Sequence, residues 1–249
     1  MIKVLYPLLD KTAWHCLKCM SENADNTTKK QTAGKPVFVE LFSGSGEVAA
    51  AARAAGFETV TVDIEKKHKP DLLIDVQRLR KQMLPEHVDV VWASVPCTVF
   101  STLSISAHWQ KVSIGWRQYQ YIPKTPEAVT ALRILNKTLR LIRELKPTYY
   151  FIENPRGALR HFPQMILIPY RKTVSYADYG FTYYKPTDIF TNCHLWKPTE
   201  LKGMQETEYE TQLRDVNGAA NRSLIPKRLI DEILDSLPFA SLRRKAERE

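Results

Sequence analysis

Val37-Phe-Val-Glu-Leu-Phe42 runs directly into Ser43-Gly44-Ser45-Gly46 and then into the alanine-rich stretch Val48 to Ala55, which Gly56 ends. A short apolar run with β-branched and aromatic residues, a glycine pair and a run of strong helix formers read as strand, turn and helix. Thr59-Val-Thr-Val-Asp63 repeats the strand signal and ends on an acid; Asp71-Leu-Leu-Ile-Asp75 and Val88-Asp-Val-Val-Trp-Ala-Ser94 are the next two candidates. Strands alternating with helical segments imply an α/β chain built on a parallel sheet.

Upstream, residues 21 to 36 hold almost nothing that can be buried and read as a linker, so 1–35 is set apart as an N-terminal extension. Downstream, a polar and aromatic stretch runs from Thr98 to Lys124, and the helix after it is well marked. Thr125 suits the N-cap, Pro126 the first position and Glu127 the first turn, while Leu132, Leu135, Leu139, Ile142 and Leu145 recur at helical spacing up to Pro147. Tyr149 to Glu153, Thr173 to Ala177 and Thr187 to Thr191 read as further strands, the last two as an antiparallel pair at the sheet edge. A final helix spans Pro226 to Leu237.

The 249 residues are 44% apolar and carry 36 Lys and Arg against 27 Asp and Glu, a formal net charge of +9 that suits a polyanion such as nucleic acid. No stretch approaches the roughly 18 apolar residues of a membrane span, and the start is too quickly polar for a signal peptide, so a cytoplasmic protein without membrane partners is expected. Four cysteines in a chain of this size make no disulfide framework. Cys16 and Cys19, with His15 nearby, form half of a zinc signature that Cys193 and His194 complete if the N-terminal arm folds back; a reduced, non-ligating pair is the other reading.

Three groups carry chemistry. Gly44 and Gly46 let the backbone approach a ligand, and Asp63 at the next strand end can accept from ribose hydroxyls, although the same pattern also serves packing. The third glycine of a dinucleotide fingerprint is missing, which favours an adenosyl ligand without pyrophosphate. Cys97 follows a central strand at its carboxyl end, where open α/β sheets hold ligands; it is a nucleophile there or a buried structural thiol, the commoner fate of a free cysteine. Glu153, at the end of the next strand, points into the same crevice.

Phe42-Ser-Gly-Ser-Gly46, Pro96-Cys97, Glu153-Asn154-Pro155 and Asp178-Tyr179-Gly180 stand in the order used by the cytosine-5 DNA methyltransferases, and over residues 36 to 195 the chain resembles that family. The resemblance implies a Rossmann-like fold with a mostly parallel seven-stranded sheet, S-adenosylmethionine (AdoMet) as methyl donor, double-stranded DNA as partner and a monomeric enzyme. By resemblance Phe42, Ser43, Gly44, Ser45, Gly46 and Pro96 line the AdoMet site, Asp63 takes its ribose, Ile64 one face of its adenine, and Asp75 with Val76 the adenine edge. Ser101 and Asn154 are expected at the substrate, with Cys97 as nucleophile toward C6 of cytosine and Glu153 as acid toward N3. The target base is flipped out, and the 98–124 segment is the natural loop to close over it. There Lys111 and Arg117 hold phosphates and Trp109 and Trp116 fill the gap, unless the segment is simply an exposed loop.

Two departures stand out. Where the family carries an Arg-x-Arg pair whose second arginine reaches the cytosine O2, this chain has Lys185 and Thr187, the latter with only a hydroxyl to offer. Only residues 196–220 are available for target recognition before the C-terminal part, 221–249, so sequence specificity is expected to be short, with phosphate contacts supplying much of the affinity. Within Asn221-Arg-Ser-Leu-Ile-Pro226, Ser223 matches the family's last cofactor motif and falls near the methionine end of AdoMet. The nearest alternative is the same chemistry on RNA, since one branch of the family acts on transfer RNA. An AdoMet or nucleic-acid binder without activity is the alternative of another class, and it requires Cys97 or Glu153 to be misplaced.

Overall fold

The computed structural model describes residues 34–102, 104–115, 118–199 and 224–239. Cys16, Cys19, Trp116, Arg117 and Ser223 lie outside them. β1 (Val37–Leu41), α1 (Glu47–Ala54), β2 (Glu58–Asp63), β3 (Leu72–Leu73) and β4 (Val90–Ser94) form the first half. After α2 (Ile105–His108) come β5 (Trp109–Gly115) and β6 (Gln118–Pro123), then α3 (Pro126–Leu145), β7 (Tyr149–Pro155) and α4 (Pro163–Ile166). β8 (Tyr170–Ser175), β9 (Pro186–Thr191) and α5 (Lys227–Asp235) complete it.

Seven strands make one sheet in the order β3-β2-β1-β4-β7-β9-β8. Pairing is parallel from β3 to β7, and β9 runs antiparallel to both β7 and β8, so the expected antiparallel edge pair is present. Successive residues of the central strands face opposite sides, as a pleated strand buried on both faces requires. Val39, Val91, Ala93, Tyr150 and Ile152 pack with Leu135, Leu139 and Ile142 of α3. Phe38, Val90, Trp92, Phe151 and Ile189 pack on the other side with Val48 and Ala52 of α1 and Leu229, Ile230 and Ile233 of α5.

The boundaries of α3 follow the expected chemistry. Thr125 Oγ1 accepts from the Ala128 backbone N–H at 3.3 Å, Pro126 occupies the first turn, and Lys146 ends the helix in the left-handed region at φ 50°. β3 is shorter than the expected 71–75. Asp71 turns its carboxylate onto the Thr61 backbone N–H at 2.8 Å, and Asp75 begins a turn by accepting from the Gln77 N–H at 2.9 Å, so neither acid extends the ladder.

The 98–124 segment is not the irregular loop expected. It contains α2 and a β5–β6 hairpin, and aromatic and β-branched residues on both sides of Gly115 supply the strand preference. Trp109 is part of the core: 2% exposed, it stacks on Phe100 at 5.5 Å and donates its indole N–H to the Val99 carbonyl at 2.6 Å. It is therefore unavailable to fill the gap left by a flipped base. Trp196, at the start of the expected recognition segment, is also fully buried and donates to Glu232 Oε1 at 2.7 Å, tying that segment's first residues to α5.

Candidate active site

At the carboxyl ends of β1, β4 and β7 lies a cavity of about 260 Å³. One wall is a single stretch of chain: Glu40, Phe42, Ser43, Gly44, Ser45, Glu47 and Val48. The turn in this wall has an unusual backbone. Phe42, Gly44 and Gly46 all have positive φ, at 60°, 49° and 75°, and a Cβ added to either glycine would meet nothing within 4 Å. Both glycines are needed for conformation, and the space beside them stays open for a ligand. Strain at Phe42, a bulky residue in the left-handed region, is held by the surrounding bonds: Ser43 N–H to the Val62 carbonyl at 3.1 Å and Gly46 N–H to the Ser43 carbonyl at 2.8 Å.

Asp63 shapes this turn. Its Oδ2 accepts from the Gly44 N–H and its Oδ1 from the Glu65 N–H, both at 2.8 Å. Ile64 beside it is 66% exposed, an apolar side chain presented to solvent at the end of β2. Asp75 is half-buried, whereas Val76 is 5% exposed with its side chain in the core, so that side chain meets no ligand.

The opposite wall brings together residues far apart in sequence. Ser94 ends β4, Val95, Pro96, Cys97 and Thr98 follow it, and Glu153 and Pro155 lie at the end of β7. Lys185 precedes β9, and Ile225 enters from the segment before α5. Parallel pairing sets Ser94 beside Glu153, which explains why a thiol three residues on faces that carboxyl. Cys97 is half-buried and free. Burial above all, and then the Glu153 charge, push its thiol above the ordinary value, while the Lys185 ammonium pulls it down. Glu153 is buried, and loss of solvent raises its carboxyl pKa against the opposing pull of Lys185 and of a hydrogen bond from Tyr176.

Two buried groups hold the Cys97 turn. Asn154 donates its amide Nδ2 to the Val95 carbonyl at 2.7 Å, strapping the end of β7 to the turn. It is fully buried and does not line the cavity, which corrects its expected substrate contact to a positioning role. Gly157 brings the chain after β7 against the same loop: the Ala158 N–H donates to the Phe100 carbonyl at 2.8 Å, and a Cβ on Gly157 would lie 2.1 Å from that oxygen. Ser101 pairs with Gly157 and its hydroxyl meets that of Ser104 at 2.9 Å, outside the cavity.

Thr187 is fully buried and does not line the cavity either, because its strand places it between Pro155 and Val174 with its hydroxyl donating to the Lys185 carbonyl at 3.2 Å. A substrate contact from Thr187 is thereby corrected. Lys111 stands exposed on the hairpin with its ammonium 3.7 Å from the centre of the Tyr119 ring. Cys193 is fully buried, His194 is exposed, and among the described residues no group of three or more His, Cys, Asp or Glu side chains is arranged to hold a metal.

Sequence reading missed two groups. Glu40 is 2% exposed and lines the cavity, and burial pushes its carboxyl up to about 8 although Oε2 accepts from the Ala49 N–H at 2.8 Å. An acid inside an otherwise apolar strand was the available signal. Tyr176, which hydrogen-bonds Glu153, had no spacing to mark it.

The family model described as C-5 cytosine-specific DNA methylase matches residues 37–184. A probable DNA (cytosine-5)-methyltransferase of Frog virus 3 (isolate Goorha) is 29% identical over 176 residues, covering 68% of this chain and 76% of its own length. Among solved structures, the Entamoeba histolytica methyltransferase EhMeth aligns at 15% identity with a TM-score of 0.45, covering 69% of this chain and 57% of its own. A Spodoptera frugiperda DNMT2 mutant aligns at 18% identity with a TM-score of 0.42, covering 68% and 54%. The chain thus spans little more than half the length of these two structures.

Proposed function

The chain belongs to the C-5 cytosine-specific DNA methylase family, and from that premise we propose that it transfers a methyl group from AdoMet to carbon 5 of cytosine in DNA, with Cys97 as covalent nucleophile. The observation that carries this reading is the pairing of the Cys97 thiol with the buried Glu153 carboxyl on one wall of a cavity whose other wall is the glycine turn.

The residues present fit AdoMet. The open space beside Gly44 and Gly46 admits a ligand backbone-close, buried Glu40 offers a carboxyl oxygen to its ammonium, and exposed Ile64 offers an apolar face to its adenine. Phe42 to Gly46, Pro96, Asp63 and Asp75 would complete its holding. When bound, AdoMet supplies an electrophilic methyl group on a sulfonium.

Cytosine C5 is a poor nucleophile until a group adds at C6. Cys97 adds as thiolate: its Sγ electron pair forms the bond to C6, the C5–C6 π pair becomes available at C5, and N3 takes the proton of Glu153. A neutral Glu153 suits both tasks, since it has a proton to give and no charge to oppose the thiolate. Lys185 faces both groups and favours the thiolate. Once C5 is methylated, loss of its proton to water and departure of Cys97 Sγ from C6 as thiolate restore the ring, and N3 returns its proton to Glu153.

DNA is favoured by the family and by the name of the viral relative, and the +9 charge suits a polyanion. The reaction atoms are stacked inside a duplex, so the base is flipped into the cavity. The hairpin, rooted beside the Cys97 loop by buried Trp109, presents Lys111 and Tyr119 toward phosphates and bases. With only residues 196–220 between catalytic part 36–195 and the C-terminal 221–249, target specificity is short. Incubation with AdoMet and either plasmid DNA or RNA, followed by bisulfite mapping, tests the proposal. It expects 5-methylcytosine in DNA; methylation confined to RNA transfers the same chemistry to the other polymer, and product from Cys97→Ala contradicts it.

A further inference from the structure

The two oxygens of Glu153 are not equivalent. Oε1 accepts a hydrogen bond from the Tyr176 hydroxyl at 2.9 Å, and both side chains are buried. A neutral carboxyl carries one O–H, so an oxygen that is already accepting from a phenol leaves the proton to its partner oxygen. Tyr176 itself is fixed from several sides. Its ring meets Phe181 edge-on at 5.6 Å, the Lys185 ammonium lies 4.5 Å from its ring centre, and its backbone N–H donates to the Lys185 carbonyl at 3.3 Å.

Resting on the proposed methyl transfer, we infer that Tyr176 is a positioning residue for the reaction: its hydroxyl holds Glu153 so that Oε2 is the oxygen that delivers the proton to the base. Lys185 and Thr187, which replace the expected arginine pair, then act on the same device. Lys185 braces the phenol ring and faces the thiol, and the Thr187 hydroxyl holds the Lys185 carbonyl. The carboxyl has a neutral anchor in the Tyr176 hydroxyl. A neutral anchor also suits a carboxyl that must keep its proton, since a guanidinium in the same place would favour the carboxylate more strongly.

The test reads Cys97 directly. Iodoacetamide alkylation, mapped by mass spectrometry to the peptide that contains Cys97, is followed against pH in the wild type, Tyr176→Phe and Glu153→Gln. Ionised Glu153 raises the thiol pKa, so the wild-type profile bends where Glu153 titrates, and Glu153→Gln shows no bend. The phenol hydrogen bond favours the carboxylate. Removing it moves the bend to higher pH, by about half a unit or more. Tyr176→Phe keeps the ring that packs on Phe181. In turnover, Tyr176→Phe loses about ten- to a hundredfold in kcat with the AdoMet KM unchanged. A Tyr176→Phe profile that superimposes on the wild type overturns the inference, as does wild-type kcat in that variant. A shifted profile in a protein that methylates no polynucleotide overturns the methyl-transfer reading and upholds the Tyr176–Glu153 coupling.

Discussion

The two walls of the cavity differ in how the chain makes them. The wall from Glu40 to Val48 is one uninterrupted stretch, shaped by local rules: a strand end, two glycines in left-handed conformation and a helix start, pinned by Asp63. The wall holding Cys97, Glu153 and Lys185 is assembled from three distant strand ends, and buried polar bonds from Asn154 and Tyr176 keep it in register. A contiguous wall tolerates substitution residue by residue, whereas an assembled wall depends on groups that touch no ligand.

The comparison is sharpest at Glu153. Glu153→Gln keeps the acceptor for Tyr176 but removes the proton donor, so kcat falls by about 10²- to 10⁴-fold at every pH and the alkaline limb of the wild-type profile disappears. That limb is present in the wild type because Glu153 must keep its proton to act, and its raised pKa extends activity upward in pH. Steady-state rates from pH 6 to 10 check this; an unchanged alkaline limb contradicts the assignment.

Gly157→Ala tests the dependence on untouched neighbours. Its Cβ would meet the Phe100 carbonyl oxygen at 2.1 Å, and the loop that carries Cys97 must move. Destabilisation of about 1–3 kcal/mol is expected from this overpacking, with a fall in kcat out of proportion to any change in AdoMet binding. Thermal melts with calorimetric AdoMet titration separate the two effects. Equal losses in both would contradict a role confined to the assembled wall.

On the contiguous wall the expected effect is smaller and set by pH. Glu40 holds its proton in the folded chain up to about 8 against an ordinary value of 4.5. Its relative contribution to stability is complete below about 4.5 and is lost as pH rises toward 8, because the unfolded chain ionises there while the folded chain does not. Glu40→Gln removes that slope, so the difference in Tm between variant and wild type grows in favour of the variant from pH 5 to pH 9. A constant difference would place the carboxyl in water. The smallest effect belongs to the exposed hairpin: Lys111→Ala lowers the slope of log affinity for DNA against log salt by about one and leaves kcat unchanged.

What the sequence disclosed follows the same division. The glycine turn, Asp63 at a strand end, α3 and most of the strands along the chain were legible because each rests on neighbours in sequence or on spacing. Pro96-Cys97 and Glu153 were legible as strand ends, and the sheet brought them to one cavity. Tyr176, the strap from Asn154 and the burial of Thr187 were not legible, since each depends on which strand lies beside which. The hairpin escaped notice because Trp109, which roots it, becomes a core residue only when Phe100 and Phe162 close on it.

The central claim is the bond between Cys97 Sγ and C6 of the target base. DNA whose cytosines carry fluorine at C5 cannot release that substituent as a proton, so the sequence of events halts after methylation with the enzyme still attached. Incubation with AdoMet, digestion and peptide mass analysis reads the attachment point. The account predicts a methylated fluorocytosine adduct on Cys97 in the wild type and none in Cys97→Ala; an adduct on another residue, or methyl transfer to ordinary DNA by Cys97→Ala, would contradict it.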